Sequence, residues 1–150
     1  MALTYNFELS VSSVKQLQSQ LENYSKKLED SKIYIHQALA DRAYELIMMN
    51  CPVDTGELID SFVIDVSKDM ADVYTECEHA KYVEFGTGIR GSESGYPLDI
   101  AQTFVEDSWK GYKVEVNGQV AQKFMYNAWL ELQKEGSEIV RKVLIERGLL

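Results

Sequence analysis

The chain is short of several things, and each shortage removes a class of protein. It has 2 prolines in 150 residues, at positions 52 and 97, and it shows no internal repeat or low-complexity tract, so nothing in it reads as a linker or a repeat array. Its 2 cysteines, Cys51 and Cys77, fall in stretches that read as ordered. No charged-then-apolar leader opens the sequence, and the expectation is synthesis in a reducing cytoplasm without a secretory signal. No apolar run approaches the ~20 residues that cross a bilayer; the longest, Leu46 to Met49, is interrupted by Asn50, so no membrane partner is expected. Basic residues are also scarce: 15 Lys and Arg stand against 24 Asp and Glu, a net charge of -9. A protein that docks freely on nucleic acid shows the opposite, a clustered basic excess.

What is present suits one compact body. With 45% hydrophobic residues the chain can bury one core, and a single domain over 1–150 is expected. Leu3, Tyr5, Phe7 and Leu9 alternate with polar residues, the period of a half-buried strand. Ser13 and Gln16 have capping-box spacing, and Val14, Leu17, Leu21, Tyr24 and Leu28 recur every three or four residues, which predicts an amphipathic helix. Glu29-Asp30-Ser31 reads as a break with a fresh cap, followed by a second helical stripe through Ile35, Leu39, Ala43, Leu46 and Ile47. The rhythm resembles heptads, but two helices of about five turns each are too short for a sustained coiled coil.

From Ser61 the period changes to two. Phe62, Ile64 and Val66, then Val73-Tyr74-Thr75-Glu76-Cys77, predict a hairpin with its loop over 67–71. Lys81-Tyr82-Val83-Glu84-Phe85 and Tyr112-Lys113-Val114-Glu115-Val116 predict further strands. Between them, roughly 88–108, lies a stretch with Gly91, Gly95 and Pro97; long irregular stretches of this kind are functional or disordered, and mobility in an isolated subunit is expected. The last segment keeps Ala121, Phe124, Met125, Ala128, Trp129, Leu132, Gly136, Ile139, Val140 and Val143 in helical phase, with Gly136 expected at a close approach to another element. The predicted class is α+β: a small, mainly antiparallel sheet of about four strands, flanked by N-terminal helices and a long C-terminal helix.

Two motifs invite a chemical reading. Asp54-Thr55-Gly56 matches the short signature of aspartic proteases, in which two carboxylates share a proton; a single copy requires a homodimer. The favoured reading is a helix-to-strand turn in which Asp54 accepts backbone N–H groups and Gly56 takes a positive φ. Gly86-Thr87-Gly88-Ile89-Arg90-Gly91 fits G-x-G-x-x-G, but the residues after it do not read as the start of a helix that could hold a pyrophosphate. Gly86 and Gly88 are therefore expected to be backbone bends. His36 and His79 lack the paired spacing of a zinc site, no G-x-S-x-G elbow is present, and neither catalysis, metal nor cofactor is expected.

Three stretches in order, Pro52-Val53-Asp54-Thr55-Gly56-Glu57-Leu58 with Ser61, then Tyr82-Val83-Glu84-Phe85-Gly86-Thr87-Gly88, then Gly118-Gln119 ahead of Ala121, Phe124-Met125 and Ala128, resemble a family of phage tail components. Its members are called tail-completion, head-to-tail joining or minor tail proteins. The sequence departs from that pattern at Lys123, where the family commonly has proline, and over 92–112, which has no counterpart in it. The resemblance implies a virion protein, assembled in the host cytoplasm. It implies a ring, commonly of six copies, at the head-proximal end of the tail, touching the tail tube protein and the head-side connector, with DNA only as passing cargo. Glu84, Thr87, Arg90, Glu93, Tyr96 and the Asp54 turn are the candidate subunit interface, by strand-edge pairing and loop insertion. The acidic balance suits a conduit to which phosphates do not stick, and suits equally a soluble free subunit. The competing readings are the Asp54 homodimeric protease and a generic acidic interaction module.

Overall fold

The computed structural model describes residues 10–54, 56–96 and 117–150. The expected strands over 3–9 and 112–116, Thr55, and 97–108 of the expected mobile stretch lie outside the described residues. Helix α1 spans Val11–Asn50 and begins where Ser10 accepts a hydrogen bond from the Ser13 N–H at 3.1 Å, the usual service of an N-cap serine. It is one helix of 40 residues, about 60 Å long, in place of the two expected. The break at Glu29-Asp30-Ser31 does not occur because Ser31 serves the helix interior: its hydroxyl donates to the Lys27 carbonyl at 2.7 Å and is almost fully buried. Lys32 pairs back to Glu29 at 2.7 Å across the same turn. The helix stops where Cys51 turns extended ahead of Pro52, since a residue before proline is pushed out of the helical region.

After the short helix α2 (Glu57–Asp60), strands β1 (Phe62–Val66) and β2 (Ala71–Thr75) pair antiparallel, with Phe62 opposite Thr75 and Val66 opposite Ala71. Ser67 closes the turn, its hydroxyl accepting from the Met70 N–H and donating to the Met70 carbonyl, both at 3.0 Å. His36 on α1 meets the Ser67 carbonyl at 3.0 Å and ties the hairpin tip to the helix. Among the described residues the sheet has two strands, not about four. Tyr82-Val83-Glu84-Phe85 belongs to helix α3 (Ala80–Phe85): its aromatic and β-branched residues suit a strand, but Ala80, Glu84 and Phe85 are the buried positions, which is the spacing of one helical face. A single turn, α4 (Gly88–Ser92), follows in the stretch expected to be irregular.

Helix α5 (Phe124–Glu146) runs back along α1. Arg42 meets Glu135 at 2.7 Å, the Arg147 guanidinium lies over the Tyr34 ring, and the Tyr24 hydroxyl donates to the Leu149 carbonyl at 3.1 Å, so the two helices are antiparallel. The end of α5 is closed by the Leu149 N–H bonding to Leu144, with Gly148 at φ 67°, a Schellman-type stop. Gly136 is not required for a close approach, because a Cβ there would sit 3.9 Å from the Leu39 side chain, an ordinary contact. The core is built from Leu46 and Ile47 of α1, Leu58, Phe62, Ala80, and Phe124 and Ala128 of α5; the Phe62 and Phe124 rings meet edge to face at 6.0 Å.

Candidate functional site

The second and third stretches of the resemblance fold onto each other. The Thr87 N–H donates to the Gln119 carbonyl at 2.9 Å and the Gln119 N–H returns to the Thr87 carbonyl at 3.0 Å, the exchange made by paired strand residues. Arg90 donates to Asn117 at 3.0 Å, Gln122 to Val83 at 2.9 Å and Lys123 to Glu84 at 3.2 Å, all between backbones, and the Gln119 side chain adds a bond to the Tyr82 carbonyl at 2.6 Å. Residues 82–91 and 117–123 thus form a clasp. Glycine is needed on both sides of it: a Cβ on Gly86 would lie 2.6 Å from the Ala121 nitrogen and the Gln119 oxygen, and one on Gly118 would collide with the Thr87 carbonyl. The G-x-G-x-x-G spacing here serves backbone approach. A helix does begin at Gly88, contrary to expectation, but it is 5 residues long and its preceding residue is engaged by Gln119.

Glu84 completes the clasp from inside. Its side chain is 4% exposed; one carboxylate oxygen accepts from the Tyr96 hydroxyl at 2.8 Å and the Tyr126 N–H at 3.0 Å, and the other accepts from the Met125 N–H at 2.9 Å. The residue ahead of α5, Lys123, offers no side-chain cap and holds φ 56°, so Glu84 from a different helix satisfies the orphan N–H groups and places a negative charge at the positive end of the dipole. Phe85, Tyr96, Tyr126 and Trp129 line up ring to ring, at 4.8, 5.4 and 5.9 Å between successive centroids, along a groove of about 1190 Å³ between β2, α3 and the start of α5.

Of the residues expected at a subunit interface, Glu84 and Tyr96 are buried and bonded to each other within the chain. Thr87 is half-buried and committed to Gln119, while Arg90, Glu93 and Asp54 are exposed. Gly56 adopts φ 88° and Gly86 and Gly88 adopt 74° and 61°, the left-handed region that favours glycine. Asp54 follows the end of a helix and precedes α2, so no apolar strand leads into it as in an aspartic protease. With Pro52, Glu57, His79, Gln119 and Gln122 it lines a cleft of about 360 Å³. The spacing argument against a metal at His79 does not hold in three dimensions: Glu57, Cys77 and His79 present ligand atoms within 4.8 Å of one another. Only the short Cys-x-His interval hinted at this, since Glu57 is brought in by the fold. Cys51 lies in the core nearby, and burial, reinforced by Cys77 and Glu84, pushes its thiol above the ordinary cysteine range.

Sequence reasoning also missed that the apolar face on the first half of α1 is uncovered. Val14, Leu17, Leu21, Tyr24 and Leu28 all face solvent, Leu21 at 61% and Leu17 at 53%. They keep the alternating three-and-four spacing of a coiled-coil seam, and α5 reaches α1 only as far as Tyr24. The signal was present in the stripe, but a supposed break at Ser31 made it look like half of a short core helix.

Residues 15–86 match the sequence model of a family described as "Bacteriophage HK97-gp10, putative tail-component". Over that segment the chain is similar to the HK97-gp10-like family. The matched segment holds most of α1, the hairpin and α3 and ends at Gly86; the clasp and Glu84 then join α5 to it. No curated protein and no solved structure matches the chain. Among the described residues no helix is long and apolar enough to cross a membrane.

Proposed function

We propose that this HK97-gp10-like chain is a single tail-component domain that forms a ring, of six copies, at the head-proximal end of a phage or phage-like tail, where it completes or terminates the tube or joins it to the head. Its partners are then its own copies, the tail tube protein and the head-side connector, with DNA passing through as cargo. The observation that supports this reading best is the bare apolar stripe on the first half of α1. A stable monomer seldom leaves such a stripe uncovered, and coiled-coil spacing fits it to a helix or groove of a neighbour. Between Ser10 and Ser25 the helix carries one lysine and one glutamate, so a second copy of a chain with net charge -9 can approach there without local repulsion. Among the described residues the hairpin pairs with no third strand, and its edges offer a further means of joining.

Leu17→Glu combined with Leu21→Glu tests the reading. The variant subunit is expected to fold as the wild type does and to be lost from rings, seen by negative-stain microscopy of protein mixed with tail tubes, and from particles. Normal incorporation of the double variant would overturn the role given to α1, and absence of any annular assembly with tubes or connectors would overturn the ring.

A further inference from the structure

We propose that Glu57, Cys77 and His79 form a binding site for a zinc-like divalent cation, a property independent of the ring reading. A thiolate, an imidazole and a carboxylate are the three side-chain ligand types that zinc takes, and their ligand atoms here all lie within 4.8 Å of one another. The Cys77 sulfur is 3.2 Å from Nε2 and 3.4 Å from Nδ1 of His79. Sulfur and nitrogen bound at ~2.3 Å and ~2.0 Å to one tetrahedral ion stand about 3.5 Å apart, so the separation of this pair is that of one edge of a coordination tetrahedron, and a turn of the imidazole about its χ2 aims one nitrogen at the ion. Glu57 is exposed and closes the remaining distance by a change of rotamer.

The backbone fixes two of the three ligands. Cys77 and His79 sit in the turn between β2 and α3, where the Cys77 N–H is held by the Thr75 hydroxyl at 3.0 Å and the Cys77 carbonyl by the Ala80 N–H at 3.0 Å. His79 precedes α3 but its ring does not cap it, which leaves the imidazole for the thiol and a metal. Glu57 comes from the first position of α2, directly after the Gly56 bend. A sulfur and a nitrogen ligand select against magnesium and calcium, which require oxygen. The cleft of about 360 Å³ lined by Glu57 and His79 has room for the water that would complete four-coordination. Binding is not a redox step: the Cys77 S–H bond breaks, its electron pair goes to the metal, and the proton leaves to solvent, so affinity falls as the pH is lowered. A bound ion would join α2 and the Asp54 turn to the turn that leads into α3, at the base of the clasp.

The test uses the full chain, reduced and stripped of metal with a chelator, titrated with Co²⁺ as a spectroscopic stand-in for Zn²⁺. One equivalent is expected to raise a thiolate-to-cobalt charge-transfer band in the near ultraviolet with the intense visible bands of a four-coordinate ion, and Zn²⁺ is expected to abolish both. Cys77→Ser should remove the charge-transfer band, whereas Cys51→Ser should keep it. His79→Gln and Glu57→Gln, at exposed positions, should weaken binding by more than the roughly 10-fold that loss of an outer-shell partner costs. Far-ultraviolet circular dichroism checks that each variant is folded. A wild-type titration without the charge-transfer band, a band that survives Cys77→Ser, or unchanged affinity in a folded His79→Gln protein would each overturn the site.

Discussion

The two halves of α1 are one continuous helix with one apolar stripe, yet they live in different surroundings. In the second half Leu46 and Ile47 are buried against the hairpin and α5, and Leu46 has no exposed surface at all. In the first half Leu17 and Leu21, of the same chemistry and on the same face, are more than half exposed. Intrinsic helix propensity does not separate them; what differs is the length of the partner, because α5 has 23 residues and α1 has 40. Apolar burial within the chain therefore supplies stability in one half, and the same pattern in the other half is left over for a contact between chains.

Leucine truncation at matched positions is the sharpest way to break this comparison. Leu46→Ala is expected to cost roughly 2–5 kcal/mol in urea unfolding, while Leu21→Ala should stay within about 0.5 kcal/mol for the monomer; equal costs would mean that the first half is covered after all. Next in size is Lys123→Pro, which forbids φ 56° and removes the N–H that reaches Glu84. A loss of about 3 kcal/mol is expected in the same assay, with Lys123→Gly no worse than wild type. Glu84→Ala strands the Met125 and Tyr126 N–H groups and removes the acceptor of the Tyr96 hydroxyl, for a loss of at least about 2 kcal/mol, and amide exchange at the start of α5 should accelerate more than exchange in the hairpin. Gly136→Ala, facing Leu39 in the covered half, should raise stability by up to about 1 kcal/mol.

The smallest effect concerns Glu135. Its hydrogen bonds to Arg42 hold its carboxyl below the usual range, so what the pair contributes is present above the unfolded carboxylate pKa and fades as the pH falls through the lower folded value. The stability difference between wild type and Glu135→Gln should therefore shrink toward acid, and shrink also with added salt, because the pair is exposed.

Much of this organisation was legible in the residues. The phases of α1 and α5 and the hairpin could be read because each follows one period over many residues. Tyr82-Val83-Glu84-Phe85 misled because composition favours a strand while burial obeys a helical face, and four residues are too few for period to outvote propensity. Ser31 misled because the hydroxyl that can cap a new helix can equally bond back to the carbonyl four residues earlier. The two glycine stretches stood out separately, but that Gly86 and Gly118 serve one contact is a pairing across 32 positions, and nothing in either stretch names the other. The grouping of Glu57 with Cys77 and His79 was hidden for the same reason.

The exchange of hydrogen bonds between Thr87 and Gln119, with Arg90 on Asn117 beside it, means that the end of α3 and the entrance to α5 are fixed to each other by main chain, a joint that most side-chain substitutions leave intact.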